Sequence, residues 1–134
     1  MIEQIDFKHF FMEIKNYKEI KWANPYSNIY LKYQNTYAVI EWKQNTCQIG
    51  IVINKGLSNL DFYRELFEIC RKSNIQYVEF VTSTNNKIVN SLAKYYKANL
   101  IEIKYDFYEK NENANVYLLD LNNSKRFKKA IESI

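Results

Sequence analysis

Glycine and proline are nearly missing from this chain, with two and one respectively in 134 residues. Its turns must therefore be built largely by Asn, Asp and Ser, whose side chains support turn geometry through local hydrogen bonds. A single histidine, His9, and two scattered cysteines, Cys47 and Cys70, exclude the usual zinc arrangements. Both cysteines fall in apolar segments, so buried free thiols are expected rather than a disulfide. No nucleophile-elbow or Ser/His/Asp pattern is present. There is no signal-peptide core and no apolar run near the ~20 residues of a membrane-spanning helix. A cytoplasmic protein without membrane association is the expectation.

What the chain has in quantity is aromatic side chains. Twelve Tyr, eight Phe and two Trp make up 16% of it, and bulky rings fill a core quickly. With 47% hydrophobic residues, one core can form without disulfides or metal, and a single domain over 1–134 is expected. The net charge of +4 is too small to imply nucleic acid by itself. Four of the positive charges, Lys125, Arg126, Lys128 and Lys129, crowd into Ser124–Lys129. The wealth of Lys, Asn, Ile and Tyr suits an AT-rich genome, and makes each single Tyr or Asn weaker evidence for a site.

The hydrophobic pattern gives the element order. Asp6 caps a first helix in which Phe7, Phe10, Phe11 and Ile14 share a stripe. Tyr17 to Asn28 is an aromatic connection carrying Trp22, Pro25 and Tyr26. Asn28–Tyr33, Tyr37–Trp42 and Thr46–Asn54 read as three strands joined by short polar turns, hence antiparallel neighbours. A helix over Leu60–Lys72 follows, with Leu60, Tyr63, Phe67 and Cys70 on one stripe and Phe62, Leu66 and Ile69 widening it. Tyr77–Val81 is apolar except at Glu79, the pattern of a central strand covered on both faces. Strand, helix and strand at this spacing make a parallel pair. A second helix, Lys87–Tyr96, precedes Leu100–Tyr105 and Val116–Leu121, a hairpin with a polar tip at Glu109–Asn115. Ser124–Ile134 closes the chain as a short helix. Ile51, Ile53, Leu66, Val78, Phe80, Leu92 and Ile101 are expected to be buried together. Gly50, inside a β-branched strand, marks a bulge or the close approach of another backbone.

The order helix, antiparallel meander, then β-α-β-α-β-β resembles the GNAT family of acyltransferases over residues 28–121. The local likeness is best at Val78–Glu102, VEFVTSTNNKIVNSLAKYYKANLIE. There the family often has Asn at a helix start, a small residue three later, Tyr seven later and Gly-Phe at eleven and twelve. Asn86 fits the Asn; Val89, Ala93 and Lys97-Ala98 stand at the other positions. The resemblance implies an α/β (α+β) fold with a mixed central sheet of about 6–7 strands flanked by helices, plus the extra C-terminal helix. It also implies that the strand carrying Gly50 bulges and opens a V between two parallel strands, with Ile51–Asn54 lining it.

The same resemblance locates a cofactor site. Family members hold the pyrophosphate of acetyl-CoA on backbone N–H groups of an R/Q-x-x-G-x-G/A loop at a helix N-terminus. Here that loop is reduced to Lys55-Gly56-Leu57-Ser58-Asn59, so Val52, Asn54, Gly56, Ser58 and Asn86 are the candidate cofactor contacts. With so few glycines, no cofactor is expected unless the chain is an enzyme, in which case it is acetyl-CoA. Ala93 lacks the phenol that the family uses as an acid. Tyr95 and Tyr96 lie near that position, and Glu41 and Glu79 are the strand carboxylates that could act as a base.

Three functions follow. The first is a GNAT-like scaffold without catalysis, a binding or inhibitory protein of phage or mobile-element type with an unknown protein partner. The second is a divergent acyl-CoA-dependent N-acyltransferase. The third is nucleic-acid binding through the basic C-terminal helix, for which a solvated helix side is the competing explanation. The apolar side of that helix, Phe127, Ala130, Ile131 and Ile134, is expected to contribute to a homodimer contact.

Overall fold

The computed structural model describes residues 1–17, 29–54 and 60–122, with the side chains of residues 51 and 54 outside the description. Most of the aromatic connection, the loop holding Gly56 and Ser58, and the C-terminal helix with Phe127, Ile131 and Ile134 lie outside the described residues. In chain order the elements are β1 (Glu3–Ile5), α1 (Phe7–Ile14), β2 (Ile29–Tyr33), β3 (Thr36–Lys43), β4 (Thr46–Asn54), α2 (Leu60–Lys72), β5 (Tyr77–Ser83), α3 (Lys87–Tyr95), β6 (Asn99–Glu109) and β7 (Glu112–Asp120). The seven described strands form one sheet in the order β1-β2-β3-β4-β5-β7-β6. Every neighbouring pair is antiparallel except β4 with β5, which is parallel as the α2 crossover requires.

Each face of the sheet has its own apolar cluster. Under α1, Phe10 and Ile14 pack with Tyr30, Tyr37, Val39 and Ile53. Asp6 starts this helix by accepting the His9 N–H at 2.8 Å. On the other face, α2 and α3 cover Ile40, Cys47, Ile49, Val78, Phe80, Tyr117 and Leu119. Phe80 is ringed there by Tyr63, Phe67 and Tyr117, with centroids 6.0, 6.3 and 5.4 Å away. Cys47 and Cys70 are buried and free.

Gly50 decides which face the end of β4 presents. Ile40 of β3 pairs with Ile49, but Val39 pairs with Ile51, so β4 holds one extra residue at Gly50. That is a β-bulge, and it reverses the parity of all that follows. Cys47 and Ile49 face α2, and unbroken alternation would send Ile53 there too. Instead Ile53 joins the α1 cluster and Val52 packs on the α2 side. A Cβ at Gly50 would meet only the Val39 carbonyl oxygen at 3.8 Å, so the bulge, and not close approach, explains the position.

The turns use larger residues than expected. Among the described residues Gln34, Gln44, Asn74, Lys97, Asp106 and Asn111 have positive φ, and Gly50 does not. Asn74 and Lys97 sit in the left-handed position that ends α2 and α3. In each case the next N–H reaches back to the helix, Ile75 to Cys70 O and Ala98 to Ala93 O, both at 2.9 Å. A non-glycine residue in this conformation costs roughly 1–2 kcal/mol. Lys97→Gly is therefore expected to raise stability by about 1 kcal/mol, read by urea denaturation; an unchanged or lower midpoint would refute the strain.

Several expectations need correction. β1 was not anticipated, because three residues carry no readable alternation. The connection Glu109–Asn115 is mostly strand, closed by a turn at residues 110–111. Ile101 is 52% exposed and not core: the ladder skips it between Leu100 and Glu102, on a strand at the sheet edge. Ile53 belongs to the other cluster, and Leu92 is only partly buried. Phe11, assigned to the buried stripe of α1, is 41% exposed.

Candidate functional site

The parallel ladder between β4 and β5 runs from Thr46↔Tyr77 to Ile49↔Phe80 and stops there. Beyond it β4 stays with β3, while β5 stays with β7 through Ser83↔Ala114. The two strands thus part at the bulge, opening a V at their C-terminal ends. Crevices at that end of parallel strands are common ligand sites in α/β folds.

A cavity of about 260 Å³ lies at the vertex, on the face opposite α2, lined by Glu41, Gln48, Gly50, Glu79, Val81 and Lys104 among others. Register places three of these in a row across the sheet: Glu41 opposite Gln48, and Gln48 opposite Glu79. The carboxylates are two strand spacings apart, about 9–10 Å at the backbone. Gln48 Nε2 donates to Glu79 Oε2 at 3.2 Å, orienting that half-buried carboxylate. Glu41 has a cation of its own, the Lys43 ammonium at 3.9 Å. The far wall comes from β6, which leaves its regular register after Lys104 and turns at Asp106, φ 53°. The Lys104 ammonium lies 5.4 Å from the centre of the Phe107 ring.

On the other side of the split, the start of α2 and the length of α3 bound a groove of about 600 Å³. Arg64, Lys87, Ile88, Leu92 and Tyr95 are among its walls. It is apolar at the base and carries two cations. Burial pushes the Tyr96 phenol upward, while the neighbouring Arg64 guanidinium, to which Tyr96 is hydrogen-bonded, pulls it down. Arg64 also pairs with Asp61 at 3.9 Å.

A polar network that sequence reasoning missed fixes the β5 side of the V. Asn90 Nδ2 donates to the carbonyls of Ser83 and Asn86 at 3.0 and 2.7 Å. Its Oδ1 accepts from Tyr117 Oη at 2.7 Å and Asn115 Nδ2 at 3.0 Å. The available signal was an Asn inside a helix, where that residue is unfavourable without a partner.

The candidate residues fall as follows. Val52 lies on β4 past the split and packs toward α2. The backbone of Asn54 ends the same strand, while Gly56 and Ser58 lie outside the described residues. Asn86 caps α3, its Oδ1 accepting the Val89 N–H at 3.1 Å. Ala93 and Tyr96 are buried, Tyr95 is exposed in the groove, and His9 is on the surface of α1, away from the V. The hydrogen bond to Cys70, then burial, pushes the Cys47 thiol far above the ordinary range, which removes it as a nucleophile. No cluster of three metal-ligating side chains occurs among the described residues, and none of their helices is long and apolar enough to cross a membrane.

No protein-family model matches the sequence, and no curated protein matches it. Solved structures do. A ribosomal-protein alanine N-acetyltransferase from Escherichia coli superposes with a TM-score of 0.68 at 12% identity, covering 90% of this chain and 92% of that one. An acetyltransferase from Bacillus subtilis, solved in complex with CoA, gives 0.62 at 16% identity, covering 90% and 97%. An N-acetyltransferase from Staphylococcus aureus gives 0.61 at 12%, covering 90% and 98%. The chain has a GNAT-like fold, as its element order implied.

Proposed function

We propose that this chain is an acyl-CoA-dependent N-acyltransferase acting on a primary amine, with Glu79 as the general base. One observation carries the reading. Glu79 stands one step below the point where β4 and β5 part, oriented by Gln48 in a cavity with a second carboxylate. The cavity also holds Lys104, so Glu79 acts by position. It takes a proton from the acceptor's ammonium, which frees the nitrogen lone pair to attack the thioester carbon. The C–S bond breaks, with coenzyme A leaving as its thiolate.

The residues around the V fit a coenzyme A thioester, which would supply an activated acyl group. Among the described residues, β4 past Ile49 has no partner strand on its β5 side, so backbone groups remain for the amides of a pantetheine arm. Arg64 and Lys87 supply cations at the helix starts, where phosphates are favoured. Val52, Asn54, Gly56, Ser58 and Asn86 are the proposed contacts along this path. Glu79 accepts the amine proton, Gln48 holds it in place, and Glu41 adds negative charge to the acceptor side.

A second reading is a non-catalytic binding scaffold. Ala93 favours it, because a buried methyl group stands where the family pattern has the acid for the leaving thiolate. Two measurements separate the readings. Acetyl-CoA should raise the thermal midpoint, since a ligand at 100 times its Kd adds about 2.7 kcal/mol. Lys87→Glu should reduce the rise; an acidic residue at a helix start favours the fold itself, so the loss would report binding. Thiol release from acetyl-CoA with lysine-containing or free-α-amine peptides then supports the enzyme. A midpoint rise without release supports the scaffold, and no rise at millimolar acetyl-CoA would defeat the acyltransferase reading and leave the scaffold.

A further inference from the structure

Edge strands in soluble proteins are usually short, charged or covered, because their unpaired backbone groups recruit other strands. β1, at one edge, follows the rule with three residues. β6, at the other, is charged but neither short nor covered among the described residues. It spans eleven residues and pairs only with β7 among the described residues. Leu100, Ile101, Ile103 and Tyr105 are 50%, 52%, 39% and 75% exposed along it.

We propose that β6 pairs antiparallel with β6 of a second copy of this chain, about a two-fold axis through Ile103. The argument is charge complementarity. In that register, residues equidistant from Ile103 come opposite each other. Glu102 meets Lys104 of the partner subunit, and Lys104 meets Glu102 of the partner subunit. Glu102 and Lys104 share one face of the sheet, opposite Val116 and Ala114 of β7 respectively, so both cross-strand ion pairs form on the same side. Ile103 meets its own copy on the other face, and the exposed Tyr105 follows it two residues on.

Neighbouring registers fail. Moving the axis to residue 102 sets Glu102 against Glu102, and moving it to residue 104 sets Lys104 against Lys104. Like charges directly opposite destabilise a strand pair. An axis at residue 105 would set Lys104 against Asp106, but β6 leaves its ladder after Lys104 and turns at Asp106, φ 53°, so that stretch is not a straight edge. The register about Ile103 is isologous, so it closes at two copies and does not propagate into a fibre. The contact is separate from the homodimer expected through Phe127, Ile131 and Ile134, and it does not depend on the acyltransferase reading.

Sedimentation velocity on the full chain tests it. Wild type should sediment as a dimer at tens of micromolar. Glu102→Lys and Lys104→Glu should each be monomeric, with unchanged far-UV circular dichroism. An equimolar mixture of the two variants should return to dimer, because Lys then meets Glu at both positions. Lys104 also lines the cavity, so oligomeric state and not activity is the readout. A monomeric wild type overturns the proposal and points to another segment over β6. Variants that stay dimeric, or a mixture that stays monomeric, overturn it as well.

Discussion

Phe80→Ala is expected to remove about 3–5 kcal/mol of folding stability, lowering the thermal midpoint by roughly 10–20 °C. Phe80 is 1% exposed and lies in a central strand bounded by the Tyr63, Phe67 and Tyr117 rings. Removing the ring loses its transfer free energy and leaves a cavity that surrounding rings cannot collapse into, since β5 is held by strands on both sides. Phe80→Leu keeps most of the volume and should cost less than half as much. Urea denaturation of both variants gives the comparison. A loss under about 2 kcal/mol for the alanine variant, below the range for truncating a large core side chain to alanine, would mean that this cluster is not the packed centre.

Glu79→Gln should reduce amine acylation by about 10²–10⁴-fold in kcat, with a much smaller effect on the KM for acetyl-CoA. The substitution preserves shape and removes the charge, so the fold is retained and the base is lost. Glu41→Gln should have a milder effect. Its carboxylate lies one strand further from the V and already faces Lys43 at 3.9 Å. Equal loss from both substitutions would take the base assignment away from Glu79.

Much of the fold was legible because its signals are local. The α2 stripe of Tyr63, Phe67 and Cys70 and the near-continuous apolar strand Tyr77–Val81 each dictate an element from neighbouring residues. The parallel pair follows from the length of the crossover. Even the bulge left a trace, since Gly50 interrupts a β-branched run. β6 was misread because its Leu100, Ile101 and Ile103 look like core in sequence. Apolar character cannot tell a central strand from an edge, and edge position is a property of strand order. The candidate site was legible in parts: Glu41 and Glu79 stood out as carboxylates in apolar strands. Gln48, the residue between them, is ordinary in sequence and acquires a role only through register.

The sequence by itself determined the elements from α1 to β7 and their order, though not β1 or the full length of the last hairpin, together with the parallel step at α2 and the position of the irregularity at Gly50. These depend on periodicity, chain length between apolar runs and backbone preference, all written in consecutive residues. Tertiary structure alone decided which face each residue after Gly50 takes, and that Glu41, Gln48 and Glu79 line up beside the opening between β4 and β5. The physical reason is parity. One inserted residue reverses every side chain beyond it, and whether the partner strand absorbs that insertion is settled by pairing across the sheet, not along the chain.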